Sequence, residues 1–320
     1  MLIDAWFPFY GGGQVHVKNL SQQLSYRYNT KIKIFHPKSF SDLARTFWAL
    51  KVIKEIVTYS QANKIDLIHS HGFIPGLSAK IASLILGVPI IHTVHGSHLM
   101  DQGKSVPKAY LEKFLLTQIK YSSLITVSSS FLKYQNTNRN IHVIRNGVNV
   151  KDFDQITINK ASNPTIIFVG RRHPDKGIDT LLKAFKLAKQ KLPHLKLDIV
   201  DGGTSGKKLI KRYKRSHLFV LPSRAEGQPI SLLEAWAAKL PVIVTKVGDN
   251  PKLVKNSFNG YLIRPNDFQS LSSIIIKVFN DYPHHQKMGL KGYQLVKQKY
   301  TWDKISDQTY QVYQSLLKSS

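Results

Sequence analysis

Four short stretches of the chain bring together residue types that bind anions, hydroxyl groups and protons. In RRHPDKG, Arg171 and Lys176 lie five apart, and a forked guanidinium beside a point-charge ammonium suits a diphosphate. In AEGQPISLLEAWAAK, Glu226 and Glu234 lie eight apart. Two carboxylates there would accept hydrogen bonds from the vicinal hydroxyls of a polyol; equally, they would complement the positive end of a helix starting at that point. Pro229 is expected as the first residue of that helix, where it has a fixed φ and no N–H to lose. Glu226 then belongs to the preceding loop and Glu234 to the early turns. In YGGGQVH, Gly11, Gly12 and Gly13 allow close backbone approach and leave N–H groups free at a helix start, an anion site, although a plain strand-to-helix turn has the same composition. The spacing is not GxGxxG, so it carries no dinucleotide signature. His95, in HTVHGSH, could hydrogen-bond a substrate, move a proton or serve packing alone, with His69, His71, His92 and His98 crowding the same region. His69 and His71 are expected to project to opposite sides of their strand and so to make a poor metal site.

These residues need strand ends and helix starts to hold them. Short β-rich runs alternate with helical patterns along the whole chain, which predicts an α/β protein of parallel sheets with crossover helices. In the first half, strands are predicted at 2–7, 31–35, 67–70, 89–94, 124–128 and 142–144, with helices including 41–61 and 108–121. The second half repeats the plan with strands at 165–170, 195–200, 218–222, 242–245 and 261–263, and helices from 177 to about 191 and from 229. The expected division is a first doubly wound domain over 1–148, a polar linker over 149–164, a second such domain over 165–300, and a terminal helix over 301–320 returning toward the first. Doubly wound sheets bind ligands outside the carboxyl ends of their strands, and all four stretches follow predicted strands.

The chain has 320 residues with 42% apolar and 20% charged, the composition of an ordinary globular protein. Its charge is unusual: 46 Lys and Arg against 19 Asp and Glu leave a formal +27. The excess is spread over both halves, with 17 basic and 6 acidic residues up to 150 and 29 and 13 beyond it. It is densest in KKLIKRYKR, 207–215. Such a surface attracts anionic partners, whether nucleic acid, acidic lipid or a phosphorylated substrate. No helix-turn-helix or RNA-recognition signature accompanies it, so nucleic acid is not the expected partner. There are no cysteines, which excludes disulfides, thiolate metal sites and a cysteine nucleophile and suits a reducing cytoplasm. The amino terminus, MLIDAWFPF, lacks the basic region and cleavage site of a signal peptide, and the longest apolar run, near 81–91, is too short and interrupted to cross a bilayer. The expectation is a cytoplasmic protein that touches a membrane surface without spanning it.

Taken together, the motifs resemble those of the retaining GT-B glycosyltransferases of family 4, also called glycosyltransferase group 1. The resemblance rests on their order: GGGQVH, DLIHSHG, HTVHG, LITVSS and VIRNGVNVKDF in the first half, then FVGRRHPDKGIDTLLKAF, HLFVLPSRAEGQPISLLEAWAAKLPVIVTKVGDNPKLV, NGYLIRPND and YTWDKISDQTYQVYQSLL. It covers nearly the whole chain, and the pairing of GR(x4)KG with E(x7)E is its most specific part. It implies a GT-B fold of two Rossmann-like domains facing a cleft and transfer of a sugar from a UDP, GDP or ADP sugar, with retention, to a lipid-linked, saccharide or other cell-envelope acceptor. Arg171 and Lys176 would hold the donor diphosphate, Glu234 the ribose, and Glu226 the donor sugar near its anomeric carbon. Gly227, Gln228 and the amides of Ile230 and Ser231 would line the donor; Gly11 and Gly12 would allow close approach to diphosphate and acceptor; His95 would contact the sugar. No metal or other cofactor is implied. Family members usually carry one more strand and helix where this chain has only 204–217, so the second domain is expected to lack one strand–helix unit, an edge strand in the order 3-2-1-4-5-6. A GT-B nucleotide-sugar epimerase, or a nucleotide-sugar-binding protein with little turnover, are the alternatives.

Overall fold

The computed structural model describes residues 1–7, 11–39, 41–95, 107–134 and 137–318. Its contacts divide the chain into two compact units, Met1–Arg145 with Trp302–Ser320, and Asn146–Thr301.

The first unit runs β1 (Leu2–Ile3), α1 (Gly12–Tyr28), α2 (Asp42–Ala62), β2 (Ile68–His71), α3 (Phe73–Leu86), β3 (Ile90–Val94), α4 (Pro107–Gln118), β4 (Ser123–Thr126) and β5 (Ile141–Val143). All five strands are parallel, in the order β1-β2-β3-β4-β5. The strand predicted at 31–35 reduces to one bridge, Phe35 beside Leu2, because exposed Lys31 and Lys33 leave it little to bury at the sheet edge. The predicted strand 2–7 likewise ends at Ile3. Ser41 caps α2 by accepting from the Ala44 N–H at 3.2 Å, and α1 closes on Asn29 at φ 50°, a conformation Asn tolerates.

The second unit continues with α5 (Val150–Asp154), β6 (Thr165–Val169), α6 (Ile178–Lys191), β7 (Lys196–Val200), α7 (Gly206–Arg215), β8 (Leu218–Leu221), α8 (Ile230–Ala237), β9 (Val242–Thr245), α9 (Asn250–Leu253), β10 (Tyr261–Ile263), α10 (Phe268–Asn280) and α11 (Tyr282–Lys299); α12 (Trp302–Lys318) belongs to the first unit and packs on α1. Segment 149–164, expected as a polar linker, starts with α5, whose Val150 and Phe153 are buried in the second unit's core. The two hydrophobes three apart were too short a pattern to read as a helix. Strands TIIFV, LFVL and VIVT are continuous apolar runs because helices cover both faces of the sheet.

Sheet order in this unit is β10-β9-β8-β6-β7, the doubly wound arrangement without its third strand, so β7 lies at the edge. The basic segment 207–215 forms α7, which packs on β6, α5 and α8 and sends Arg212 to that edge. Arg212 donates from Nε to Asp198 Oδ2 at 3.0 Å and from Nη2 to the Ile199 carbonyl at 3.0 Å. In the parallel ladder the flanking residues of β7 spend their backbone groups on β6, so the Ile199 carbonyl faces outward and Arg212 takes it.

Candidate active site

In the second unit the site residues converge from the loops after β6 and β8 and from the start of α8. After β6 the chain makes a single 3-10 turn, Pro174–Lys176, and leaves it at Gly177 with φ +65°. A Cβ at Gly177 would lie 2.1 Å from the Pro222 carbonyl oxygen, so only glycine lets the two loops meet this closely. That contact directs Lys176 to Glu226: its Nζ donates to Glu226 Oε1 at 2.6 Å, and Ser223 Oγ donates to the same oxygen at 2.7 Å. Both charged side chains are largely shielded, 21% and 7% exposed, which strengthens their attraction over that of a surface pair. Arg171, by contrast, is exposed and its guanidinium has no partner among the described residues.

Sequence reasoning missed the residue that ties these loops together. Arg224 donates to Asn266 Oδ1 at 2.7 Å and Asp179 Oδ2 at 2.5 Å, and also to the Pro174 carbonyl, while its own N–H reaches the Asp175 carbonyl at 2.7 Å. The guanidinium holds the Asp179 carboxyl below the usual carboxylate range. An arginine between a serine and the AEG sequence was the available signal.

Gly248, at φ +53°, underlies the other side: a Cβ there would lie 2.0 Å from the Glu226 carbonyl oxygen, and Asp249 N–H donates to the Gly227 carbonyl at 3.0 Å. Gln228 is buried and holds Asn146, accepting its N–H through Oε1 at 2.5 Å and its side-chain amide through the backbone carbonyl at 2.7 Å. Its Nε2 is buried without a partner among the described residues. Pro229 is the cap of α8 rather than its first helical residue, with ψ 123°, and Ile230 and Ser231 open the helix. Glu234 Oε2 accepts from the Tyr213 hydroxyl at 2.9 Å. Burial raises the Glu234 carboxyl to about 7, against the opposing pull of that hydrogen bond. Tyr213 belongs to α7, so the short connection in the sheet also shapes this carboxylate.

The first unit gathers histidines. Gly11 caps α1 and Gly12 is exposed in its first turn; a Cβ on Gly13 would come within 3.9 Å of the His95 ring. His95 Nε2 and His71 Nδ1 share a hydrogen bond of 3.0 Å, and the His16 ring meets His95 edge-on at 4.5 Å with Trp302 beyond it. His69 bridges the Tyr313 hydroxyl and Thr93 Oγ1, both at 2.6 Å. Contrary to expectation, the His69 and His71 rings are 4.1 Å apart on the same side of β2, because residues two apart in a strand share a face. His92 lies on the other side, bonded to Ser70 Oγ and stacked on Tyr121. His98 and Gly96 fall outside the described residues. Burial and mutual repulsion hold His69, His71 and His95 well below the ordinary imidazole range, so His95 is a neutral donor or acceptor here, not a cation.

His16, His71 and His95 are the group among the described residues that could hold a metal ion, with one ligand nitrogen from each lying within 4.8 Å of the others. Bonds of about 2.0–2.1 Å to a tetrahedral zinc would need nitrogens roughly 3.3 Å apart, so the rings would have to turn inward. His71 Nε2 is buried and unpartnered, whereas His71 Nδ1 and His95 Nε2 already bond each other.

Two family descriptions match the chain: glycosyl transferases group 1 over 150–212 and 202–295, and glycosyltransferase family 4 over 26–152. An uncharacterized glycosyltransferase of Methanocaldococcus jannaschii is 28% identical over 99% of this chain and 98% of its own. The UDP-Gal:alpha-D-GlcNAc-diphosphoundecaprenol alpha-1,3-galactosyltransferase of Escherichia coli is 28% identical over 75% of this chain and 73% of its own. Among solved structures, the Anabaena protein HepE in complex with UDP-glucose superposes with a TM-score of 0.76 at 18% identity, covering 98% of both chains.

Proposed function

The chain belongs to the glycosyltransferases of family 4, group 1, and on that premise we propose that it transfers a sugar from a nucleotide-sugar donor, with retention and without a metal, to a lipid-linked or saccharide acceptor of the cell envelope. The observation that carries this reading is the Lys176–Glu226 pair at 2.6 Å, joining the loop that also carries the exposed Arg171 to the loop that leads into α8. A diphosphate would draw the Lys176 ammonium and the Arg171 guanidinium together, with the amides of Ile230 and Ser231 adding the helix end's partial positive charge. Glu226, released from Lys176, would accept from hydroxyls of the donor sugar, and Glu234 from the ribose. His95, neutral, would hydrogen-bond the sugar. As the anomeric carbon–oxygen bond breaks, its electron pair leaves on the phosphate oxygen, and the fixed cations stabilise that charge without reorganising. The acceptor hydroxyl then bonds the anomeric carbon on the same face and gives its proton to the departing phosphate.

UDP is the first donor to test, since the E. coli relative is named for UDP-Gal and HepE was solved with UDP-glucose. The same relative is named for a diphosphoundecaprenol-linked acceptor, which supports a lipid-borne substrate; with the +27 charge, the reading includes a peripheral position at the cytoplasmic membrane face. The test is a panel of UDP, GDP and ADP sugars, scored by nucleotide release and product anomer, with a chelator present and absent. Transfer should survive the chelator. Lys176→Ala and Glu234→Ala should raise the donor KM, while His95→Ala lowers kcat with folding intact. Normal kinetics in all three variants, or an inverted product, would overturn the assignment.

A further inference from the structure

We propose that the outer face of α2, α3 and α4 is the surface by which this protein docks on an anionic lipid bilayer. The proposal takes its occupant from the peripheral membrane reading above and adds the face. It starts from an inversion in α3. That helix packs on α2, β2 and β3, buries its small residues Ser78, Ala79, Ala82 and Ser83, with Ser78 donating to the Ala49 carbonyl of α2, and turns its large ones to solvent: Leu77, Ile81, Leu84 and Ile85, with Leu84 68% exposed. A surface helix ordinarily does the reverse, since its apolar stripe is what it has to bury. Lys80, its one charged residue, sits half-buried on the flank.

Both helices packed on α3 also carry exposed apolar side chains. On α2, Leu43, Phe47 and Leu50 follow the helical repeat as a single exposed stripe, and Leu50 is 71% exposed. On α4, Tyr110 and Phe114 occupy successive turns and are likewise exposed. Isolated exposed hydrophobes need no explanation, but a run of them over three neighbouring helices marks an interaction site.

Charge selects the occupant. Lys51, Lys54 and Lys113 are exposed among these apolar residues, whereas Glu55 is half-buried and already faces Lys51 at 3.9 Å. The chain carries +27, so pairing two copies through this face would bring like charge onto like charge. An anionic bilayer supplies both the apolar phase and the counter-charge. No helix among the described residues is long and apolar enough to cross a membrane, so the contact would lie in the interface plane.

The test is flotation of the full-length protein with neutral phosphatidylcholine vesicles and with vesicles containing about one-third phosphatidylglycerol, alongside light scattering for oligomeric state. The protein should bind the anionic vesicles at least about tenfold more than the neutral ones, and less as salt is raised. Leu84→Glu with Ile85→Glu should cut that binding at least about tenfold at unchanged thermal stability, since both side chains are already in solvent; Phe47→Ser on the neighbouring helix should weaken it in the same direction. Wild-type-like vesicle binding by these variants, no binding by the wild type, or a dimer that the α3 substitutions dissociate would overturn the proposal. Nucleotide release from the donor panel is measured in parallel. Its absence, with face-dependent vesicle binding intact, would fail the transferase reading and leave the docking face standing.

Discussion

Tyr213→Phe should move the pH dependence of donor binding upward, because it strips a buried carboxylate of a donor. The Tyr213 hydroxyl lies 2.9 Å from Glu234 Oε2, and burial already lifts that carboxyl from 4.5 to about 7. A hydrogen bond to a charged acceptor contributes roughly 1.5–3 kcal/mol, and one to a neutral acceptor about 0.5–1.5. The difference, about 1–1.5 kcal/mol, stabilises the ionised form alone, which corresponds to about one pKa unit. Removing the hydroxyl should therefore carry the carboxyl from near 7 to near 8. If the ionised form is what accepts from the ribose, the binding-competent fraction at pH 7 falls from about one half to about one tenth, and the donor KM rises about fivefold. At pH 9 both proteins are ionised and the two KM values should nearly meet. The assay is donor KM against pH from 5.5 to 9. A loss in the variant that is equal at every pH, or no loss at all, would refute the reasoning, because lost packing does not titrate.

The same carboxyl should cost the protein stability. It is protonated in both folded and unfolded chains below about 4.5; between there and about 7 the unfolded chain ionises first, so the folded state loses stability as pH rises, by roughly 3 kcal/mol once the window is crossed. Glu234→Gln, which cannot ionise, should unfold at higher denaturant than the wild type at pH 8 and lose that advantage at pH 4.5. Gly177→Ala forces a Cβ to 2.1 Å from the Pro222 carbonyl oxygen at a φ of +65°, and should cost roughly 2–4 kcal/mol in urea unfolding; less than about 1 would show that the loops part easily. Arg212→Ala uncovers the Ile199 carbonyl on the β7 edge, and sedimentation velocity should show concentration-dependent self-association that the wild type lacks.

Much of the plan was legible in the chain alone. Parallel strands buried on both faces read as continuous apolar runs, so β6, β8, β9 and β10 were recognisable where they occur. Set beside the pattern of the family that the motifs resemble, the shortened segment 204–217 implied a second sheet without its third strand, and the order β10-β9-β8-β6-β7 has none there. Arg171, Lys176, Glu226 and Glu234 stood out because chemistry-bearing residues cluster after strand ends, a rule of connectivity. What the sequence could not supply is which side chains meet. That Lys176 takes Glu226 as its partner depends on Gly177 passing under Pro222; that Arg224 ties the two loops depends on Asp179 and Asn266 arriving from distant elements. His16, far from His71 and His95 in sequence, joins them only because the start of α1 brings its ring to 5.7 Å from the His71 ring and 4.5 Å from the His95 ring. The outward-facing Leu84 and Ile85 look in sequence like part of a buried helix, since periodicity gives a helix its faces but not which of them the sheet will cover. Local pattern follows from neighbours along the chain, and it fixes elements and their ends. Partnership, burial and the ionisation of Glu234 follow from neighbours in space, and those exist only once the loops have closed.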